Sequence, residues 1–194
     1  MDCKQYFSAL AFLALVEILK SETAYYGKVD IRTPDIKKFV GVNEPIWTYK
    51  ATGTTRVECK MDMMQSITNE SIIFKRMYTY ADQTFSDVLE GKFKKKYKDK
   101  MFIQKKRAPF YQLEQMIYRP RNAKCAVIMI TLISHVLQIP PLRWYELWVR
   151  NSAIGEPIHP NCTTQFDELR LQERLVYTDD CQTRLSDLAR NRAE

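Results

Sequence analysis

Two charged residues fall where a strand-like pattern points inward among aromatic rings. Ile72, Phe74, Arg76, Tyr78 and Tyr80 share the more apolar side of a period-two run, so Arg76 becomes an inward guanidinium. Trp144, Glu146, Trp148 and Arg150 share one side opposite Tyr145, Leu147 and Val149. If the tryptophan side faces in, Glu146 is an inward carboxylate between two indoles. A buried unpaired charge is costly, so each needs a partner, water or a ligand. The two could pair with one another, one strand could face outward, or both could line a polar-aromatic calyx that takes a small molecule. A carboxylate among rings cages an ammonium by charge and cation–π attraction. A guanidinium instead takes a carboxylate, and Arg76 with Phe74, Tyr78, Phe93 and Tyr97 suits a fatty acid or eicosanoid. Hydrolytic chemistry has little to stand on. His135 and His159 lie in separate segments with no nucleophile motif, and His159 sits between Pro157 and Pro160 as a loop residue. The chain therefore reads as a binding protein without cofactor, not an enzyme.

Strands dominate the middle of the chain. They run Ile46 to Thr52, Arg56 to Ile67, Ile72 to Tyr80, Lys92 to Ile103, Phe110 to Arg119, Cys125 to Ile133 and Trp144 to Arg150. Thr33-Pro34-Asp35 ahead of Ile36, Phe39 and Val40 predicts a short capped helix. Asn161 to Thr164 offers capping side chains for a terminal helix lined by Phe166, Leu169 and Leu175. A short helix, seven or eight antiparallel strands and a terminal helix are most economically arranged as a closed up-and-down barrel, which leaves no edges. From Lys92 to Phe102, one face of the predicted strand carries Lys92, Lys94, Lys96, Lys98 and Lys100. That face must meet solvent. It suits a weak polyanion contact or, more simply, a solvated exterior, since nucleic-acid binding also wants exposed rings and only Phe102 is near.

The N-terminus reads as a leader. Met1-Asp2-Cys3-Lys4 precedes an apolar run from Tyr6 to Leu19, too short to span a bilayer comfortably, and Lys20-Ser21-Glu22-Thr23-Ala24 resembles a cleavage region. Residues 1–24 are thus expected to be a signal peptide and 25–194 a single, secreted, monomeric domain with no membrane span. Losing Cys3 leaves Cys59, Cys125, Cys162 and Cys181, which in an oxidising compartment predicts two disulfides of unspecified pairing. Their wide spacing argues against zinc. Asn69-Glu70-Ser71 and Asn161-Cys162-Thr163 match the glycan acceptor pattern, Asn161 less favourably because Cys162 is expected to be bridged.

Tyr145-Glu146-Leu147-Trp148, followed by Asn161-Cys162 and Phe166, resembles the tick salivary lipocalins of the histamine-binding protein family. The likeness extends to Tyr49-Lys50-Ala51-Thr52, to Cys59 and to the Tyr177 to Cys181 tail. The resemblance implies a lipocalin-like eight-stranded barrel, disulfides Cys59–Cys181 and Cys125–Cys162, and sequestration of a host mediator at a feeding site. By family the mediator is a biogenic amine such as histamine or serotonin, with Glu146, Trp148 and Phe110 at cage positions. An acidic lipid mediator held through Arg76 is the alternative, and a protein-binding modulator of coagulation or complement a further one. The chain departs from the amine-binding pattern at Ala126, where an acidic residue follows the cysteine, and at Gly53, where a tyrosine follows Lys-Ala-Thr.

Overall fold

The computed structural model describes residues 33–103, 110–134 and 140–190; the leader of residues 1–24 and His135 lie outside them. The first element is α1 (Ile36–Val40), where Asp35 caps the helix by accepting the Lys38 backbone N–H at 3.2 Å. Eight strands follow: β1 (Ile46–Ala51), β2 (Glu58–Ile67), β3 (Ser71–Tyr80), β4 (Gln83–Lys94), β5 (Tyr97–Ile103), β6 (Phe110–Tyr118), β7 (Cys125–Ser134) and β8 (Leu142–Arg150). Each pairs antiparallel with the next. The ring closes through β1, which pairs with β8 along one edge and with β2 along the other, Ile46 opposite Asp62 and Trp47 opposite Met61. Further along β1, that second edge is taken over by β9 (Arg174–Leu175), with Ala51 opposite Arg174. The expected eight-stranded up-and-down barrel with flanking helices is the observed architecture.

Two segments differ from the expectation. The lysine-rich run is a hairpin and not one strand: β4 ends at Lys94, Lys95 and Lys96 form the turn, and β5 starts at Tyr97. The five lysines therefore do not share one strand face. They crowd around a hairpin tip, where Lys94 lies over the Phe102 ring at 4.6 Å and Lys96 and Lys100 over Tyr97 at 5.4 and 5.0 Å. No glycine, proline or asparagine marks that turn, and in the first half of β4 the apolar residues Phe85 and Val88 are exposed, against the usual pattern. The preceding β3–β4 turn is equally unmarked: Ala81 and Asp82 take φ of 48° and 59°, a left-handed pair that Asn-Gly would normally signal. The terminal helix is also shorter than expected. The helix α2 (Pro160–Asp167) stops before Leu175, which lies in β9, and α3 (Cys181–Arg190) follows. Its cap is His159, whose Nδ1 accepts the Asn161 N–H at 3.3 Å, with Pro160 pre-set for the first turn.

Burial explains how the barrel is stapled. Ala126, Ile128 and Ile130 of β7 and Trp148 of β8 point into the barrel, joined by Ile72, Phe74, Met101 and Met116, while α1 packs its Ile36, Phe39 and Val40 onto the same core. Two guanidinium groups lie over the Phe39 ring, Arg119 at 5.1 Å and Arg150 at 4.9 Å, and Arg150 also donates to the Lys38 and Phe39 carbonyls. On the outer side of the same strands, Val127, Leu147 and Val149 are covered by Phe166 of α2. Cys125–Cys162 crosses this outer layer, and Cys59–Cys181 ties β2 to the start of α3 beside Trp47 and Tyr177.

Candidate functional site

The pleat of β8 sends Trp144, Glu146 and Trp148 inward and Leu147 and Val149 outward, because α2 supplies an apolar cover on the outside. Glu146 is 3% exposed and accepts hydrogen bonds from three elements. Trp144 Nε1 donates to its Oε1 at 2.9 Å, Trp148 Nε1 to its Oε2 at 2.7 Å and the Thr48 hydroxyl to Oε2 at 3.1 Å. Lys60 Nζ of β2 bridges both carboxylate oxygens at 2.7 Å. Burial by itself would raise the Glu146 carboxyl, but the Lys60 charge and the hydrogen bonds from Lys60, Trp148 and Trp144 outweigh it and hold the pKa at about 2.

A second charged cluster lies beside the first. Asp62 sits directly across from Arg76 in the β2–β3 register and takes it bidentately, Nε to Oδ1 at 2.7 Å and Nη2 to Oδ2 at 2.6 Å. The same Nη2 reaches Glu114 Oε1 of β6 at 2.8 Å, which also accepts from Gln112 Nε2 at 2.7 Å. Glu114 is fully buried and its Oε2 has no hydrogen-bond partner among the described residues. Burial pushes the Glu114 carboxyl up against the pull of Arg76, and nearby Asp62 adds to the rise. Burial would weaken the Arg76 cation, yet Asp62 and Glu114 together keep it firmly charged.

Both clusters border one cavity of about 170 Å³, lined by Thr48, Lys60, Arg76, Tyr78, Trp144, Glu146 and Arg174 among others. Arg174 is half-buried and donates to the Gly53 and Val57 carbonyls and to the Thr55 hydroxyl, with no carboxylate in ion-pair range among the described residues. A separate void between Asp62, Phe74, Met101 and Trp148 measures only about 10 Å³, so that part of the barrel is packed solid. The cavity is smaller than the roughly 300–1,000 Å³ typical of drug-sized ligands, which limits it to a compact molecule.

Of the residues singled out by sequence, Arg76, Tyr78 and Glu146 meet at this cavity, and Trp148 and Phe74 support it, Trp148 as a donor to Glu146 and Phe74 beneath the Arg76 guanidinium at 5.3 Å. Phe93, Tyr97 and Phe110 do not line it. Phe93 packs half-buried on the core, Tyr97 is clasped by lysines on the hairpin, and Phe110 is 42% exposed at the start of β6. Arg76 and Glu146 do not pair with one another; each has a separate partner. Sequence reasoning missed Lys60, Asp62 and Glu114. On β2 the methionines at 61 and 63 look like the inward set, yet Lys60 and Asp62 are. On β6, Tyr111, Leu113 and Ile117 look inward, yet Gln112, Glu114 and Met116 face the interior. The available signal was electrostatic: an inward Arg76 demands carboxylates on the neighbouring strand at matching parity, and Asp62 supplies one. Among the described residues no three His, Cys, Asp or Glu side chains are grouped to hold a metal, and no helix is long and apolar enough to cross a membrane. Asn69 is exposed in the β2–β3 turn and accepts from Lys37 Nζ at 2.8 Å; Asn161 is exposed in the first turn of α2.

A closed antiparallel barrel of eight strands with flanking helices and an interior polar cavity defines a lipocalin-type fold. The family model for tick histamine-binding protein matches residues 32–183, most of the chain, and the protein belongs to that family. Among solved structures, the serotonin complex of the protein AM182 superposes with a TM-score of 0.61 at 19% identity, covering 80% of this chain and 97% of that one. A bovine odorant-binding protein variant covers 71% of this chain and 95% of its own at 10% identity and a TM-score of 0.48. The siderocalin Ex-FABP covers 66% and 79% at 12% identity and 0.47. No curated protein matches in sequence.

Proposed function

We propose that this protein is a secreted salivary lipocalin that sequesters a small cationic amine, histamine or serotonin in class, in the cavity beside Glu146. The observation that carries the reading is that the Glu146 cage already holds an ammonium, that of Lys60, with two indole N–H groups and a hydroxyl fixing the carboxylate from rigid strands. A site that satisfies one primary ammonium has the chemistry for another. Family membership and the serotonin complex of AM182 support the same ligand class, and the two disulfides fit an extracellular setting. Arg76, on which a lipid-binding alternative rested, already has its charge balanced by Asp62 and Glu114, which weighs against a ligand acid there. A compact acid is the second reading, favoured by Arg174, which borders the cavity without a carboxylate of its own. The open cavity weighs against a role confined to protein binding, and the lysine hairpin, whose rings are capped by ammonium groups, weighs against nucleic acid.

Titration calorimetry of the refolded protein with histamine, serotonin, leukotriene B4 and arachidonate tests this. The expected result is an amine bound tighter than roughly 10 μM, the range where scavenging becomes effective. It should weaken at least tenfold in Glu146→Gln and little in Arg174→Ala. Binding of an acid but no amine, lost in Arg174→Ala, would establish the second reading instead.

A further inference from the structure

Glu146 has no empty valence: both of its oxygens are engaged, and one of its partners is a charged group that resembles the proposed ligand. We propose that Lys60 is an internal competitor, its ammonium occupying the ligand's ammonium subsite on Glu146 and having to leave before a primary amine can bind. The inference rests on the amine reading and adds the residue that sets affinity and selectivity at that site.

The four donors to Glu146 are not equivalent. Trp144 and Trp148 belong to the same strand as Glu146, and Thr48 lies opposite Trp148 in the β1–β8 register, so these three are built into adjoining backbone. Lys60 comes from β2 at the end of a flexible four-carbon stem. It is the one charged donor, and its long stem lets it be withdrawn without moving a strand. Both Lys60 and Glu146 border the cavity, so an entering ammonium meets the pair directly. The exchange conserves charge, one ammonium for another, and so avoids stranding a buried carboxylate. The displaced lysine also has a destination. Glu114 already feels the Lys60 charge, and its Oε2 lacks a partner among the described residues.

The geometry further predicts a preference among amines. Lys60 spans both oxygens at 2.7 Å through N–H donors, so a competitor needs N–H groups of its own. Primary ammonium ligands qualify, whereas quaternary ones cannot reproduce these bonds.

Truncation of the lysine tests the idea. Lys60→Ala removes a fragment the size of n-propylammonium, and its thermal melting is compared with that of the wild type in n-propylammonium or tetramethylammonium chloride at equal ionic strength. The expected result is a lowered Tm in Lys60→Ala that n-propylammonium restores, refolding the variant by circular dichroism if it is unfolded alone. Tetramethylammonium should do nothing, and the wild type should not respond to either. In parallel, Lys60→Met should bind the wild type's preferred amine at least tenfold tighter. Equal responses of both proteins to n-propylammonium, or amine binding by Lys60→Met no tighter than wild type, would overturn the proposal. Wild-type amine binding without rescue sinks the competitor alone. Rescue with no histamine or serotonin binding in either protein keeps the ammonium subsite and sinks the functional reading.

Discussion

At the scale of single residues, the interior is organised by pairing rather than by exclusion of charge. Breaking one pair should therefore cost more than its net contribution. Arg76→Met removes the cation that bonds both Asp62 and Glu114 and should lower stability by about 3–5 kcal/mol, read by urea denaturation. Restoring balance with Asp62→Asn in the same chain should recover part of the loss. Acid should act through Glu146. Its carboxyl is held at about 2 against an ordinary 4.5, so the unfolded chain takes up the proton first as pH falls. The stability from Glu146 is complete above about pH 4.5 and drains away toward pH 2, on the order of 3 kcal/mol in total. Glu114 has the opposite sign: its raised pKa means that protonation favours the folded state, which softens the acid limb. Melting curves between pH 2 and 5 should lose most of their slope in Glu146→Gln. Glu146 and Arg76 were legible as inward charges because tryptophan and aromatic neighbours marked their strand faces. Their partners were not, because Lys60, Asp62 and Glu114 lie on faces that hydropathy assigns to solvent, and only the complementary charge across the barrel turns them inward.

At the scale of elements, the sequence was most readable where one face is greasy and the turn residues are conventional. The α1 cap at Asp35 and the strands β1, β3, β7 and β8 follow their patterns. The β4–β5 hairpin does not, because its turn is made of lysines and the apolar Phe85 and Val88 of β4 are exposed, so hydropathy does not mark its faces and backbone pairing places it. One glycine on β4 is nonetheless strict. A Cβ on Gly91 would stand 2.5 Å from Met101 Sδ and 3.1 Å from Ile72, and Met101 is 1% exposed with nowhere to retreat. Gly91→Ala should destabilise by about 1–3 kcal/mol through overpacking. A double-mutant cycle with Met101→Ala, followed by equilibrium unfolding, should show the two changes compensating, whereas additive losses would mean the clash is relieved by the strand and not by the side chain.

At the scale of the whole molecule, the two disulfides divide the work of holding the C-terminal region. Cys59–Cys181 closes 122 residues and Cys125–Cys162 closes 37. On the chain-entropy account the longer loop should be worth about 1 kcal/mol more, so the paired Cys59→Ala and Cys181→Ala change should lower the urea midpoint further than its counterpart. Two cross-links had been expected from four cysteines, and the family likeness supplied their pairing; spacing alone could not, because the barrel brings distant residues together. The placement of these bridges also decides how the protein responds to being cut. Residues 170–173 between α2 and β9 are exposed, and Arg170 there is held at a φ of 51° in a connection without regular structure. A trypsin-like protease that cleaves after Arg170 severs the polypeptide but not the molecule, since the released tail stays tethered through Cys181 to Cys59 on the barrel wall. Such a nicked form should migrate as one species on a non-reducing gel and split into two only after reduction.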